Sequence, residues 1–152
     1  MAVTVEPLTL QLVEALVAAL EPLRDEVEDI QILPYPMSNP TPPTIDLIPS
    51  EPFYDAAAFG INGDGGGDFF WDVRARTTTA DNEAGWKLLY RLVDPVAGIG
   101  PLLMNDEPLG ELGSVTVGWA GEAGVSGFRD YVDDSAVNGR LLGAVLRVRV
   151  LT

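Results

Sequence analysis

The sequence contains neither cysteine nor histidine. Without cysteine there are no disulfides and no thiolate nucleophiles, and without histidine there is no imidazole base that titrates near neutral pH. Structural zinc sites also depend on these two residue types. The composition therefore excludes the most common catalytic and metal-binding arrangements, and we expect no enzyme activity, no cofactor and no bound metal.

Basic residues are scarce. Nine lysines and arginines stand against 23 acidic residues, which gives a formal net charge of −14. A surface this acidic repels phosphate groups, so tight nucleic-acid binding is not expected. Two interpretations of the acidic excess remain open at this point: it only keeps the protein in solution, or it has a function of its own.

Long apolar runs are also missing. No segment reaches the roughly 20 apolar residues that a membrane-spanning helix needs, and Met1–Leu10 lacks the basic stretch of a signal peptide. With 152 residues, of which 47% are hydrophobic and 21% are charged, the chain has the composition of an ordinary globular domain. We therefore expect a single domain over residues 1–152, made in the cytoplasm and without a membrane partner.

The apolar pattern predicts two helices and five strands. The helices are predicted over Pro7–Leu20, where leucines recur at helical spacing, and over Asp81–Val93. The strands are predicted over Ile30–Leu33, Thr44–Ile48, Phe69–Thr78, Ser114–Trp119 and Leu142–Leu151. This order predicts an α+β fold in which a sheet of about five strands carries two helices on one face.

Two features that support chemistry in other proteins are interpreted here as loops. Gly63–Gly67 lacks the Gly-Lys-Ser/Thr ending of a phosphate-binding loop and leads into a strand, and the acidic residues beside it lack the distal glutamate of a calcium loop. The carboxylate pairs Asp106–Glu107 and Asp133–Asp134 resemble acid–base pairs by composition. They lie among glycine, proline and asparagine, where carboxylates are usually solvated, so we assign no catalytic residue.

Four of the nine basic residues are concentrated on two predicted strands. Arg74 and Arg76 share the polar face of one strand, and Arg147 and Arg149 share the polar face of the last strand. Guanidinium groups bind carboxylates in a bidentate manner, so these arginines are expected to pair with acidic residues, either within the subunit or across a subunit boundary. We therefore take all four as candidates for a subunit interface.

The block Phe69–Asp94 is the most distinctive part of the sequence. An aromatic strand with alternating arginines, FFWDVRARTTT, leads through ADNEAG into the helical segment WKLLYRLVDP. Together with the amphipathic N-terminal helix, Ile30–Leu33 and the proline-rich connection into Thr44–Ile48, this block resembles the tail terminator proteins of siphophages. These proteins are also called tail completion or lambda-type minor tail U proteins. The resemblance covers nearly the full chain and implies one tail-terminator-like domain.

The resemblance implies a structural virion protein that is not an enzyme. Tail terminators form a hexameric ring on the last ring of the tail tube, stop its growth and present the surface that meets the head connector. For this chain the resemblance implies a homo-hexamer at the head-proximal end of a phage tail, assembled in the host cytoplasm. Its partners would be the tail tube protein and the head–tail connector or stopper protein.

The resemblance also suggests a use for the acidic excess. DNA would pass through the lumen of such a ring without specific binding, and an acidic lumen would repel the duplex and let it slide. Two alternatives to the terminator stay open on the sequence: a head–tail connector or stopper protein, and, from another class, a small acidic hydrolase or ligand-binding domain.

Overall fold

This computed structural model describes residues 7–37, 43–55, 67–78, 82–105, 107–118, 126–132 and 140–152. Two of the described α-helices precede the first strand, and the other two lie between strands. The described helices are α1 (Leu8–Ala19), α2 (Leu23–Glu26), α3 (Asn82–Val93) and α4 (Ile99–Met104), with a 3-10 turn at Gly110–Leu112. The described strands are β1 (Gln31–Leu33), β2 (Thr44–Asp55), β3 (Asp68–Thr78), β4 (Ser114–Gly118), β5 (Ser126–Val132) and β6 (Arg140–Leu151).

The strands form one mixed sheet in the order β1-β2-β3-β6-β4, and β5 also pairs with β6. β1 runs parallel to β2, and every other described pairing is antiparallel. β4 and β5 lie on the same side of β6, β4 beside Arg147–Leu151 and β5 beside Arg140–Val145. The sheet is therefore four strands wide up to β6 and is extended beyond it by two short strands placed end to end.

The core lies between one face of the sheet and the helices. Alternate residues of β3 point to that face, because side chains in a strand alternate between its two sides. Residues of α1, α3 and α4 pack against the same face, and the buried cluster extends along the chain from Leu12 to Val150. The helix α3 approaches β3 closely, since a methyl group built on Gly85 would lie 2.1 Å from the carbonyl oxygen of Thr78. One face of the sheet is thus apolar and covered by helices, and the other face is polar.

The α+β class predicted from the sequence is confirmed, and the two long predicted helices correspond to α1 and α3. The predicted sheet of about five strands has six described strands, and the additional one is β5, which lies in a glycine-rich stretch where no strand was predicted. The short helices α2 and α4 were also missed. No described helix is long and apolar enough to cross a membrane.

β2 continues beyond Pro49, where the sequence predicted its end. β1 pairs only with Thr44–Asp46, so at Pro49 the described strand β3 is the sole neighbour of β2. A proline can lie at such an edge position because its missing N–H removes no ladder hydrogen bond there. The register with β3 then shifts between Pro49 and Tyr54, as in a β-bulge.

Candidate functional site

The four candidate arginines lie on the polar face of the sheet, opposite the core. Cross-strand pairing places Arg74 beside Asp46 of β2, Arg147 beside Asp72 of β3, and Arg149 beside Phe70 of β3. We call this surface the arginine face, and define it as Arg74, Arg76, Arg147, Arg149 and the carboxylates that they bind. The structure thus brings all four candidates together on one face of two neighbouring strands, β3 and β6.

Asp46 is the centre of the arginine face. Its carboxylate accepts hydrogen bonds from Arg74 Nε (3.0 Å) and Arg74 Nη2 (2.6 Å), which together form a bidentate pair. Arg76 Nη2 donates to the same carboxylate at 3.0 Å. The Asp46 side chain is fully buried and that of Arg76 is 2% exposed. One carboxylate therefore holds two guanidinium groups in a largely dry environment, where a charge-assisted hydrogen bond is stronger than in water.

The same group of side chains holds the segment that follows β1. The backbone N–H of Met37 donates to Asp46 Oδ2 at 2.9 Å, and the carbonyl oxygen of Met37 accepts from Arg76 Nη2 at 3.1 Å. Both backbone polar groups of Met37 are satisfied in this way by side chains of the sheet, as a neighbouring strand would satisfy them. Asp46 and Arg76 therefore fix this segment against the polar face.

The second half of the arginine face has carboxylates of β3 as partners. Arg147 Nε donates to Asp72 Oδ1 at 3.2 Å, and Ser50 Oγ donates to the same oxygen at 2.7 Å. Arg149 Nη2 donates to Asp68 Oδ2 at 2.6 Å. Each ion pair joins two strands, so the polar face is cross-linked from β2 through β3 to β6.

Exposure increases along the arginine face from Arg76 to Arg149. The side chains of Arg76, Arg74, Arg147 and Arg149 are 2%, 22%, 32% and 50% exposed, respectively. A residue that contacts a neighbouring subunit must be accessible in the free subunit. Arg149 and Arg147 meet that condition, whereas Arg76 is committed to the interior of its own subunit.

The sequence identified the arginines but not all of their partners. Asp72 shared the predicted polar face with Arg74 and Arg76, so its alternation with them was a usable signal. Asp46 had only its position in the alternating segment of β2, and Ser50 lay beyond the predicted end of that strand. Local pairing, one of the two possibilities that the sequence left open, is what the structure shows for all four arginines.

The other candidate features contribute no assembled site among the described residues. Of the glycine-rich loop, only Gly67 is described, and its N–H donates to Thr152 Oγ1 at 2.9 Å while its carbonyl accepts from Thr152 N at 3.0 Å. Asp106 and the pair Asp133–Asp134 lie outside the described residues. Within the described ranges, no three acidic side chains come together in a way that could hold a metal ion.

Comparison with models of known protein families found none that matches this chain, and comparison with curated proteins found no matching sequence.

Proposed function

We propose that the protein is a structural assembly protein that forms a closed ring, namely a tail terminator of a long-tailed phage. Six copies would cap the tail tube, stop its elongation and form the joint to the head connector. The resemblance of Phe69–Asp94 to tail terminator proteins suggests the terminator. The arginine face supports the assembly role. It is a polar surface cross-linked over three strands, and its most exposed arginines, Arg147 and Arg149, are accessible in the free subunit.

The geometry of the arginine face favours a structural role over a site for a small ligand. Each of the four arginines is bound to a carboxylate at 2.6 to 3.2 Å. A binding site for an anionic ligand needs cations that are directed into an accessible cavity. Here the guanidinium groups are directed across strands of the same sheet, which stiffens the domain. Rigid subunits suit an assembly that must keep a fixed geometry.

The net charge of −14 supports a further part of the proposal. In a ring around DNA, carboxylates that face the lumen repel the phosphate backbone, so the duplex passes without binding. The acidic excess then favours passage of DNA as well as keeping the protein in solution.

The purified protein is expected to form a closed oligomer, most simply of six copies, either alone or when it is mixed with assembled tail tubes of its phage. Multi-angle light scattering measures the mass, and negative-stain images show whether the particle is a ring on the tube end. Isolated head connectors are the second binding partner to be tested, because a connector or stopper protein would bind them and leave the tube ends open. A chain that stays monomeric with both tail tubes and connectors would contradict the proposal.

Replacement of Arg149 with glutamate is expected to weaken the ring while leaving the subunit folded. The half-exposed pair with Asp68 contributes at most about 1 kcal/mol to stability, whereas a charge pair that becomes desolvated at an interface is worth about 2 kcal/mol or more. Sedimentation measures the ring, and thermal unfolding measures the subunit.

Lys87→Glu is the matched control for Arg149→Glu. Lys87 makes an exposed pair with Glu83 on α3, away from the arginine face, and its reversal changes the net charge by the same amount. If both variants sediment as the unchanged protein does, Arg149 has no part in assembly. Arg74 is unsuitable for this purpose, because a glutamate there would lie against the buried carboxylate of Asp46 and unfold the subunit.

A further inference from the structure

The two edges of the sheet carry a further inference. Among the described strands, β1 pairs only with β2, and β5 pairs only with β6. An edge strand presents backbone N–H and C=O groups that can pair with a strand of another chain. β2, β3 and β6 lie between β1 and β5 in the strand order, and the described strands do not pair these two edges with each other within one subunit.

The open edge of β1 is short, because the residues on either side of Ile32 leave few backbone groups available for pairing. The backbone N–H of Gln31 donates to the carbonyl of Pro43 at 3.1 Å. The backbone N–H and C=O of Gln31 therefore face β2, and those of Ile32 face outward. Arg24 Nη1 donates to the carbonyl of Ile30 at 3.0 Å. Pro34, on the other side, has no N–H to offer. The groups presented at this edge are therefore the N–H and C=O of Ile32.

An open groove of about 510 Å³ lies beside this edge, and Leu33, Tyr35 and Met37 contribute to its lining. Leu33 ends β1, and Tyr35 and Met37 lie in the bent segment that follows it. The Tyr35 side chain is among the exposed large hydrophobic groups at 60%. Exposed apolar surface next to an open strand edge is typical of a surface that another strand covers.

The strand registers show that β1 and β5 lie at the same level of the sheet. From Gln31 the cross-strand partners run through Thr44, Arg76 and Gly143 to Arg129. From Leu33 they run through Asp46, Arg74 and Val145 to Ser126. β4 is also an edge strand, but it pairs with Arg147–Leu151, a level that β1 does not reach.

The strand directions are also compatible. β1 is parallel to β2, and the three pairings from β2 through β3 and β6 to β5 are all antiparallel, so β5 runs opposite to β1. A cyclic ring has no translation along its axis, so in a ring whose axis follows the strands each strand keeps its level and direction from copy to copy. The β5 edge of the next copy then meets β1 at the correct level and in the antiparallel sense.

We infer that the sheet continues across each subunit boundary of the ring, with β1 of one copy paired antiparallel to β5 of the next and Tyr35 covered by that neighbour. This inference rests on the proposed ring, and it concerns a contact separate from the one proposed at Arg149, which lies at the level of β4. The contact joins two different edges, so it is heterologous, and repetition of a heterologous contact closes a ring when the rotation between copies divides a full turn. Its occupant is a second copy of this chain.

Cysteine cross-linking tests the pairing of β1 with β5 of the next copy. The natural sequence has no cysteine that could form an unintended disulfide. Two double variants place thiols at matched levels: Gln31→Cys with Arg129→Cys, and Leu33→Cys with Ser126→Cys. Within one subunit β2, β3 and β6 lie between the paired positions, and a disulfide formed inside one subunit would leave the chain monomeric on a non-reducing gel. Mild oxidation of the assembled ring is therefore expected to give a ladder of covalent oligomers up to the full ring.

The single variants define the alternatives. Each single-cysteine variant is expected to stay monomeric on a non-reducing gel. A covalent dimer of Gln31→Cys or Leu33→Cys alone would show instead that two β1 edges meet about a two-fold axis, and it would overturn the inference. A ring that gives no ladder from either double variant would overturn the inference and leave the proposed function standing. An unchanged chain that forms no ring would overturn both.

A second test uses two tyrosines of equal exposure. Tyr35 is 60% exposed in the groove and Tyr90 is 59% exposed on α3. Tyr35→Glu places a charge against the incoming strand, so we expect at least a tenfold loss of ring affinity, whereas Tyr90→Glu is expected to leave the ring intact. Proteins also use short edges flanked by charged residues and proline to prevent strand addition. If the β1 edge has that purpose, the Tyr35→Glu and Tyr90→Glu variants would assemble equally well, and the inference would be wrong.

Discussion

Replacement of Asp46 with alanine is expected to lower the free energy of unfolding by about 3 to 5 kcal/mol, because it removes one partner of a buried ion pair and leaves the other charge in the interior. The Asp46 carboxylate is fully buried and binds both Arg74 and Arg76, and it also accepts the N–H of Met37. The loss is measured by urea unfolding monitored by circular dichroism. It amounts to a large part of the roughly 5 to 15 kcal/mol that stabilises an ordinary domain.

Glu21→Ala is the control for this prediction. Glu21 pairs with Arg24 at 2.7 Å, but both side chains are nearly half exposed, so the pair is screened by water and its removal should cost less than about 1 kcal/mol. Asp46→Asn provides a second comparison, because it keeps an acceptor for the N–H of Met37 and removes the charge. Equal stability of the Asp46→Ala and Glu21→Ala variants would show that Asp46 does not organise the polar face.

Replacement of Trp71 with alanine is expected to cost about 3 to 5 kcal/mol, since truncating a buried tryptophan loses apolar contact and leaves a cavity. Trp71 lies on the core face of β3 and is 2% exposed. Its ring meets Phe53 edge to face at 5.0 Å between centroids and is stacked on Phe69 at 5.9 Å. Urea unfolding again measures the effect.

Trp86→Ala is the matched change on the helix side. Trp86 lies on α3, packs against the exposed ring of Tyr90 and is only partly buried, so its truncation should cost clearly less than that of Trp71. A larger loss at Trp86 than at Trp71 would mean that the main core contacts come from α3 and not from the aromatic residues of β2 and β3.

The helices and strands with strong periodicity were predictable from the sequence. α1 was predicted to within one residue at each end, and β3 was predicted from the alternation of Phe69–Thr78. Segments without such a pattern were missed: β5 lies among glycines, and α4 has only six residues within a proline- and glycine-containing stretch. Short elements gain most of their stability from tertiary packing, and a local pattern does not record that packing.

The face on which the four arginines lie was predictable from the sequence, but the carboxylate that Arg74 and Arg76 share was not. The alternation of β3 and β6 placed four arginines on polar faces, because a side-chain period of two depends on the strand alone. The choice of Asp46 as the shared partner was not predictable, since it lies 28 and 30 residues from Arg74 and Arg76. That choice depends on the register between β2 and β3.

By itself, the sequence determined which chemistry is excluded, how acidic the surface is and which side chains of the main strands share a face. These are properties of composition and of local backbone geometry, and no distant residue changes them. Only the tertiary structure decided which carboxylate binds each arginine and that β1 and β5 lie at one level on opposite edges of the sheet. Both depend on hydrogen bonds between strands far apart in the chain, whose order and register are set by the packing of the whole sheet against its helices.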